Sequence, residues 1–303
     1  MPEVVLEADA LKALVAFRRS LRRAAPELRR DLPWIAHDDP WAVFVAEIML
    51  QQTSTGRVVE PWRRFLDTFA SPSSCAQAPL AEVLRLWSGL GYPRRAKSLH
   101  DAAREMCERF DSAVPASVDD LLSLPGVGPY TAHAVASFAF GAPVAVLDTN
   151  VGRVLARALA NRPLRPREAQ SLASKLLPRE GAAAFNQAMI DLGAQFCTRD
   201  PRCMSCPLRR ACRFQREGGT DPAPRSAAVS RPQASFANSD RQVRGRILKL
   251  LHETALTRRN VIVGLADVDV ERIEVLLAQL EREGLIGRVA GRFVLGGHAE
   301  VAR

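Results

Sequence analysis

The chain has 303 residues, enough for two or three domains with cores of their own. Hydrophobic residues make up 47%, a globular composition, and no apolar run approaches the roughly 18 to 20 residues that span a bilayer, which argues against a membrane protein. Lys and Arg total 42 against 33 Asp and Glu, a net charge of +9 dominated by Arg, and this favours a polyanionic partner because guanidinium groups grip phosphate through two parallel bonds.

Residues 8–30 set Leu11, Leu14, Val15, Phe17 and Leu21 at helical spacing against a basic face, which predicts an amphipathic helix. The first residues carry no secretory pattern, so the thiols are expected to stay reduced, as in the cytoplasm. From 40 to 215 the pattern is a succession of helices. Pro40, Pro61, Pro72, Pro79, Gly89, Gly91, Pro115 and Pro125 punctuate it, and strand-like alternation is nearly absent. One of these helices is apolar around Glu47 (Phe44, Val45, Ile48, Met49, Leu50), with Gln51 one turn on along the same face. A carboxyl in such surroundings is pushed toward its protonated form; on a solvated face it would be ordinary.

Leu124-Pro125-Gly126-Val127-Gly128 falls between two helical patterns. Its glycines allow a tight turn that brings backbone N–H groups against an anion, and the helix starting near Tyr130 adds its positive end. Such a hairpin holds a phosphate without reading sequence, although the same residues also make a plain turn between helices. About twenty residues on, Asp148 closes an apolar run and is followed by Thr149-Asn150-Val151. It either caps the next helix or offers a carboxylate for chemistry.

Cys197, Cys203, Cys206 and Cys212 read C-x5-C-x2-C-x5-C, among Arg199, Arg202, Arg209, Arg210 and Arg213. On spacing alone, four soft thiolates suit one zinc ion or one iron–sulfur cluster equally. Cys75 and Cys107 lie apart and read as ordinary buried thiols. Residues 216–239, rich in Gly, Pro, Ser and Ala, predict a flexible linker. Beyond it come a helix, a helix pair and a short hairpin about a glycine (GRVAGRFVLG). That is the order of a winged helix, with 269–283 as its third helix, more acidic than a groove-reading helix should be.

Seven motifs now combine: Leu32-Pro33-Trp34, Ala46 to Thr53, Trp87 to Tyr92, Leu124 to Thr131, Asp148 to Val151, Phe185 to Met189 and the four cysteines. In order and spacing they resemble the helix–hairpin–helix base-excision DNA glycosylases, and most closely the MutY adenine glycosylases, over about residues 28–214. The resemblance implies an all-α, two-lobed HhH-GPD fold with an iron–sulfur cluster loop. It assigns residues 1–215 to the glycosylase domain, with the loop at 197–212 and a 4Fe-4S cluster as cofactor. The linker 216–239 and a small winged-helix-like α+β unit at 240–303 follow. It implies a monomeric, monofunctional DNA glycosylase of base excision repair, acting in the cytoplasm or nucleoid on double-stranded DNA with a mismatch or oxidised base. The base removed is adenine opposite 8-oxoguanine or guanine.

That reaction breaks an N-glycosidic bond through a sugar with oxocarbenium character. One acid must protonate the leaving base, and an ionised carboxylate must stabilise the sugar. By resemblance Glu47 is the acid, which can afterwards activate water, and Asp148 is the carboxylate, with Asn150 orienting it or binding phosphate. Tyr130 stands where relatives that also cut the backbone carry a lysine, and a tyrosine forms no Schiff base. Gln52 and Tyr92 match the wedge that fills the gap left by a flipped base. Gly126 and Gly128 match the phosphate hairpin, while Arg94, Arg95 and Lys97 are expected to meet phosphates. Trp34, Arg30, Gln187 and Thr55 match the base pocket.

Three features depart from the family. The first cysteine gap is one residue shorter than usual. Thr55 replaces an aliphatic residue, and Ser54-Thr55-Gly56 is closer to the thymine–guanine mismatch glycosylases, so a thymine or uracil glycosylase acting opposite guanine is the alternative. The C-terminal unit is unlike the domain with which many members inspect oxidised guanine.

Overall fold

The structure, a computed structural model, describes residues 8–35, 37–230 and 236–297, with the backbone alone at 8–11. These residues divide into two compact units, one of 8–35 and 129–230, the other of 37–128 and 236–297. Both are helical, and among the described residues no helix is long and apolar enough to cross a membrane.

The first unit opens with α1 (Ala8–Leu28). Leu14, Phe17, Leu21, Ala24 and Leu28 recur every three or four residues and are buried together in one core. Val15, which the spacing placed among the apolar positions, is 44% exposed, because it falls between the turns that face the core. The side chain of Leu11 lies outside the described residues.

The second unit begins with α2 (Pro40–Leu50), α3 (Thr55–Thr68), α4 (Pro72–Gln77), α5 (Leu80–Leu86), α6 (Arg94–Arg109) and α7 (Val118–Ser123). Asp39 caps α2 by accepting the Trp41 N–H at 2.9 Å, and Pro40 supplies a first-turn residue that needs no partner. Every residue from Trp41 to Met49 is buried. Packing rather than amphipathicity therefore holds α2, and the indoles of Trp41 and Trp62 donate to the carbonyls of Phe69 and Ala42 at 2.9 and 2.8 Å.

The first unit resumes with α8 (Pro129–Phe140), α9 (Thr149–Val154), which runs on into π-helical turns at Leu155–Ala160, then α10 (Pro166–Leu176), α11 (Ala182–Gln195) and α12 (Arg213–Glu217). Arg18 of α1 satisfies the last carbonyls of α10, donating to Lys175 and Leu176 at 3.0 Å each. Buried Asn186 of α11 holds the loop that leads to Asp148. Its amide donates to Val144 O and Ser137 Oγ, both at 2.9 Å, and its oxygen accepts from Val146 N–H at 3.3 Å. Gly193 lets α9 lie against α11, since a Cβ there would stand 2.6 Å from Asn150 Cβ and O.

Residues 216–230, expected to begin a flexible linker, are instead laid along this unit. Ala223 and Ser226 are buried. Ala227 N–H donates to Leu164 O at 2.8 Å, and Asp221 pairs with Arg157 at 2.6 Å. Arg157 is 1% exposed, and a buried guanidinium requires a carboxylate, which fixes the segment whatever its composition permits. Residues 231–235 lie outside the described residues.

The second unit closes with α13 (Asp240–Leu250), α14 (Arg258–Val263), α15 (Val270–Arg282) and the antiparallel pair β1 (Ile286–Val289) and β2 (Arg292–Leu295). Ala290 and Gly291 (φ 47° and 74°) turn the hairpin with the left-handed pair that matches strand twist. Three acids of this segment are paired with arginines: Glu274 with Arg258, Glu281 with Arg288 and Glu283 with Arg244.

Gly193→Ala is expected to destabilise the protein by about 1–3 kcal/mol through overpacking, read as a lower urea midpoint at unchanged slope.

Candidate active site

Glu47 lies on α2 and is 4% exposed, within a run of buried apolar residues. At the end of that helix the Gln51 amide donates to Gly126 O at 3.3 Å, which joins α2 to the glycine hairpin. Gln52 and Tyr92 both have left-handed backbones (φ 56° and 48°), a conformation that costs energy in a residue with a side chain and persists only where the surroundings enforce it.

Arg95 enforces it. One of its nitrogens, Nη1, donates to the carbonyls of Ile48, Met49 and Gln51 at 3.0, 2.8 and 2.6 Å. The other, Nη2, donates to Thr53 Oγ1, Leu90 O and Gly91 O at 3.1, 3.2 and 3.1 Å. The guanidinium thus stitches the end of α2 to the turn that carries Tyr92. The expectation that Arg95 meets phosphate is corrected, because the frayed carbonyls of two turns have claimed its donors. Burial lowers Arg95 to about 10, with Tyr92 opposing and Arg57 adding to the shift, so it stays charged at neutral pH. Lys97, also expected at phosphate, pairs with Asp101 at 2.6 Å. The Arg94 side chain is 75% exposed, 4.0 Å from Glu283.

Gly126 has φ 76°, and a Cβ there would lie 2.5 Å from Ser98 Cβ, so conformation and space both demand glycine. Nothing within 4 Å would meet a Cβ on Gly128, so no internal contact demands glycine there. Thr55 opens α3 and is half-buried.

In the other unit Asp148 caps α9. Oδ1 accepts from Val151 N–H at 2.7 Å and Oδ2 from the Asn150 amide at 2.5 Å. Asn150 Oδ1 in turn accepts from Arg153 at 2.6 Å, and Arg153 also donates to Gly193 O at 3.0 Å and Cys197 O at 2.7 Å. Burial pushes the Asp148 carboxyl above the ordinary carboxylate range, while the bonds from Val151 and Asn150 and the charge of Arg153 pull it back. Tyr130 is half-buried at the start of α8 and packs on the core of this unit.

Arg30 and Gln187 meet through a residue the sequence reading missed. Asp191, 1% exposed, accepts from Arg30 Nε at 2.6 Å and from Gln187 Nε2 at 2.9 Å. Its signal was helical spacing, four residues after Gln187. Arg153 was missed likewise, three residues after Asn150. Trp34 is 7% exposed.

The four loop cysteines are half-buried and carry no disulfide. Burial raises the thiols of Cys197, Cys206 (to about 11) and Cys212, and each of the three also feels its neighbours in the loop. Arg157 donates to Cys197 Sγ at 3.5 Å, a contact that favours a thiolate. Among the described residues no three His, Cys, Asp or Glu side chains are gathered closely enough to hold a metal ion. Arg199, Arg202, Arg209, Arg210 and Arg213 all face solvent around the thiols. Cys75 and Cys107 form no disulfide, and burial, reinforced by Cys107, takes Cys75 to about 12.

Residues 45–179 match the HhH-GPD superfamily of base excision DNA repair proteins. In the solved structures, a thermostable thymine-DNA glycosylase aligns at TM-score 0.62 and 28% identity, over 68% of this chain and 97% of that one. An endonuclease III trapped as a covalent intermediate with DNA aligns at 0.61 and 25%, over 70% and 98%. In sequence, the adenine DNA glycosylase of Mycolicibacterium smegmatis is 43% identical over 269 residues, 86% of this chain and 89% of that protein. The chain belongs to the adenine DNA glycosylase family.

Arg95→Lys, which keeps the charge and loses the fork, is expected to cost roughly 2–4 kcal/mol by leaving buried carbonyls without donors, measured by urea unfolding.

Proposed function

We propose that this DNA glycosylase of base excision repair removes adenine mispaired with 8-oxoguanine or guanine and leaves the backbone uncut. The adenine follows from the family; the opposite base, the site roles and the cofactor are our reading. The observation that carries it is Glu47, a carboxyl 4% exposed in a helix otherwise buried and apolar, which is where a proton donor belongs.

Glu47 protonates a ring nitrogen of the flipped adenine. The C1′–N bond breaks, its electron pair leaves with the base, and the deoxyribose becomes cationic. The Asp148 carboxylate stabilises that cation. Glu47, now ionised, takes a proton from water as the water adds to C1′, which restores the acid and leaves an abasic site. Tyr130 forms no Schiff base, so no strand cleavage follows. Gln52 and Tyr92, on turns already stiffened by Arg95, fill the vacated stack. The Gly126–Gly128 turn and Arg94 bind backbone phosphate, and Trp34, Arg30, Gln187 and Thr55 shape the base pocket. The thymine or uracil alternative raised by Thr55 gives way to the adenine-specific family.

The donor chemistry of Cys197, Cys203, Cys206 and Cys212 fits a 4Fe-4S cluster, which needs four thiolates and no other protein ligand. A bound cluster would tie the loop together and fix the surrounding arginines. The catalytic residues then lie within 1–215, and 240–303 form a winged-helix-like unit.

A panel of duplexes with A, T, U or C opposite guanine or 8-oxoguanine tests the reading. Adenine is expected to be excised, with cleavage only after alkali. Glu47→Gln should slow excision by about 10²- to 10⁴-fold while duplex binding persists. Excision that survives intact in Glu47→Gln would refute the assignment.

Asp148 must be ionised to act, and its pKa is raised, so the acid limb of kcat/KM should lie above the ordinary carboxylate range of about 4. Asn150→Ala removes a bond that lowers this pKa, so the limb should move to still higher pH. A shift to lower pH would contradict the role given to Asn150.

A further inference from the structure

Three aromatic rings and two guanidinium groups alternate along one edge of the second unit. The Arg95 guanidinium stands 5.3 Å from the Trp87 ring and 5.5 Å from the Tyr92 ring. Arg241, the second residue of α13, stands 5.9 Å from the other ring neighbours, Tyr92 and Phe236. Its Nη1 also donates to the Tyr92 hydroxyl at 2.8 Å. The distances lie within reach of cation–π attraction, so each ring is oriented by the cation beside it. Trp87 is buried, with its indole donating to Gly91 O at 3.0 Å, and it anchors one end. At the other end Phe236 is 60% exposed, a large apolar ring kept in water.

We propose that Phe236 and Arg241 form a second nucleic-acid contact continuous with Tyr92, in which Phe236 stacks on an exposed base of the duplex and Arg241 meets its phosphate while holding the Tyr92 ring. The chemistry is that of strand-binding surfaces, where aromatic faces take bases of any identity and interleaved arginines take the backbone. Arg241 suits both tasks, since a guanidinium is a planar cation that stacks on aromatic faces and matches the geometry of phosphate. The C-terminal segment thereby acts on DNA through the first turn of α13 and the residues before it. The acidic helix α15 and its C-cap, whose Glu274, Glu281 and Glu283 are already paired with arginines, are not called on. The proposal rests on the reading above only in taking Tyr92 to touch DNA.

The test is binding of the full-length protein to a duplex carrying a tetrahydrofuran abasic analogue opposite guanine, followed by fluorescence anisotropy over a range of salt. Phe236→Ala should weaken binding about tenfold, Phe236→Trp should retain it, and Phe236→Leu should behave as the alanine variant, since stacking and not bulk is required. Arg241→Ala should weaken binding and reduce the slope of log K against log salt by about one, and Arg241→Lys should restore the slope without the full affinity. Phe236 is exposed, so its variants should melt as the parent does, and this separates lost contact from lost fold. Binding by Phe236→Ala equal to the parent, or Phe236→Leu equal to Phe, would overturn the stacking surface; an unchanged salt slope in Arg241→Ala would overturn the phosphate contact. Because the analogue is not a substrate, failure to excise adenine would remove the functional reading without touching this one.

Discussion

A carboxylate kept from water but not neutralised by a direct partner is the constraint around which the unit carrying Asp148 is built. A guanidinium against Asp148 would neutralise the carboxylate directly. The unit places the arginine one residue further out. Arg153 donates to Asn150, and Asn150 donates to Asp148, so compensation arrives as a polarised hydrogen bond. The helix supplies the rest through the Val151 N–H and its positive end. This chain of contacts demands close approach: Gly193 gives up its side chain so that Asn150 can reach its place, and Asn186 holds the loop before Asp148 in register. Arg153 also takes the carbonyl of Cys197, so the order of the cysteine loop and the posture of Asp148 are mechanically linked.

Arginine serves a different purpose in the other unit. The end of a helix and a glycine-rich turn both leave carbonyls pointing inward with no partners of their own. Arg95 answers five of them and a hydroxyl at once, and this permits left-handed backbones at Gln52 and Tyr92 without collapse of either turn. A lysine would be a point charge where a planar fork is needed. The cost of straining these two residues is met once, during folding.

The features legible in the sequence were local ones. Apolar spacing in α1 and the run around Glu47 report burial directly, and Asp148 before a helical pattern reports a cap. The glycines at 126 and 128 report a turn, and Ala290-Gly291 report a hairpin. The features that were not legible depend on partners far along the chain. Arg157 finds Asp221 across 64 residues, so a stretch with the composition of a linker is ordered against the core. Arg95 reads as one of a basic run until the carbonyls of residues 48–51 are seen to surround it. Asp191 looks like a solvated acid on α11 until Arg30, 161 residues away, is set on it. Arg95 and Arg30 stood out without their partners and Arg157 and Asp191 did not stand out, because pairing is a property of the packed chain.

The same distinction governs the net charge. A surplus of +9 says that the protein favours polyanions and nothing about where. The fold sorts it. In the C-terminal segment Arg244, Arg246, Arg258, Arg272 and Arg288 all have carboxylate partners, and Arg157 and Arg30 are paired within their own unit. Among the described residues Arg199, Arg202, Arg209 and Arg210 form none of these ion pairs and face solvent within a single short loop. Charges paired internally cancel within a few ångströms, whereas four exposed guanidinium groups on one loop sum to a field that reaches about a Debye length, roughly 8 Å at physiological salt. The four cysteines share that loop with these arginines, so the unpaired positive charge of this segment lies around the thiols.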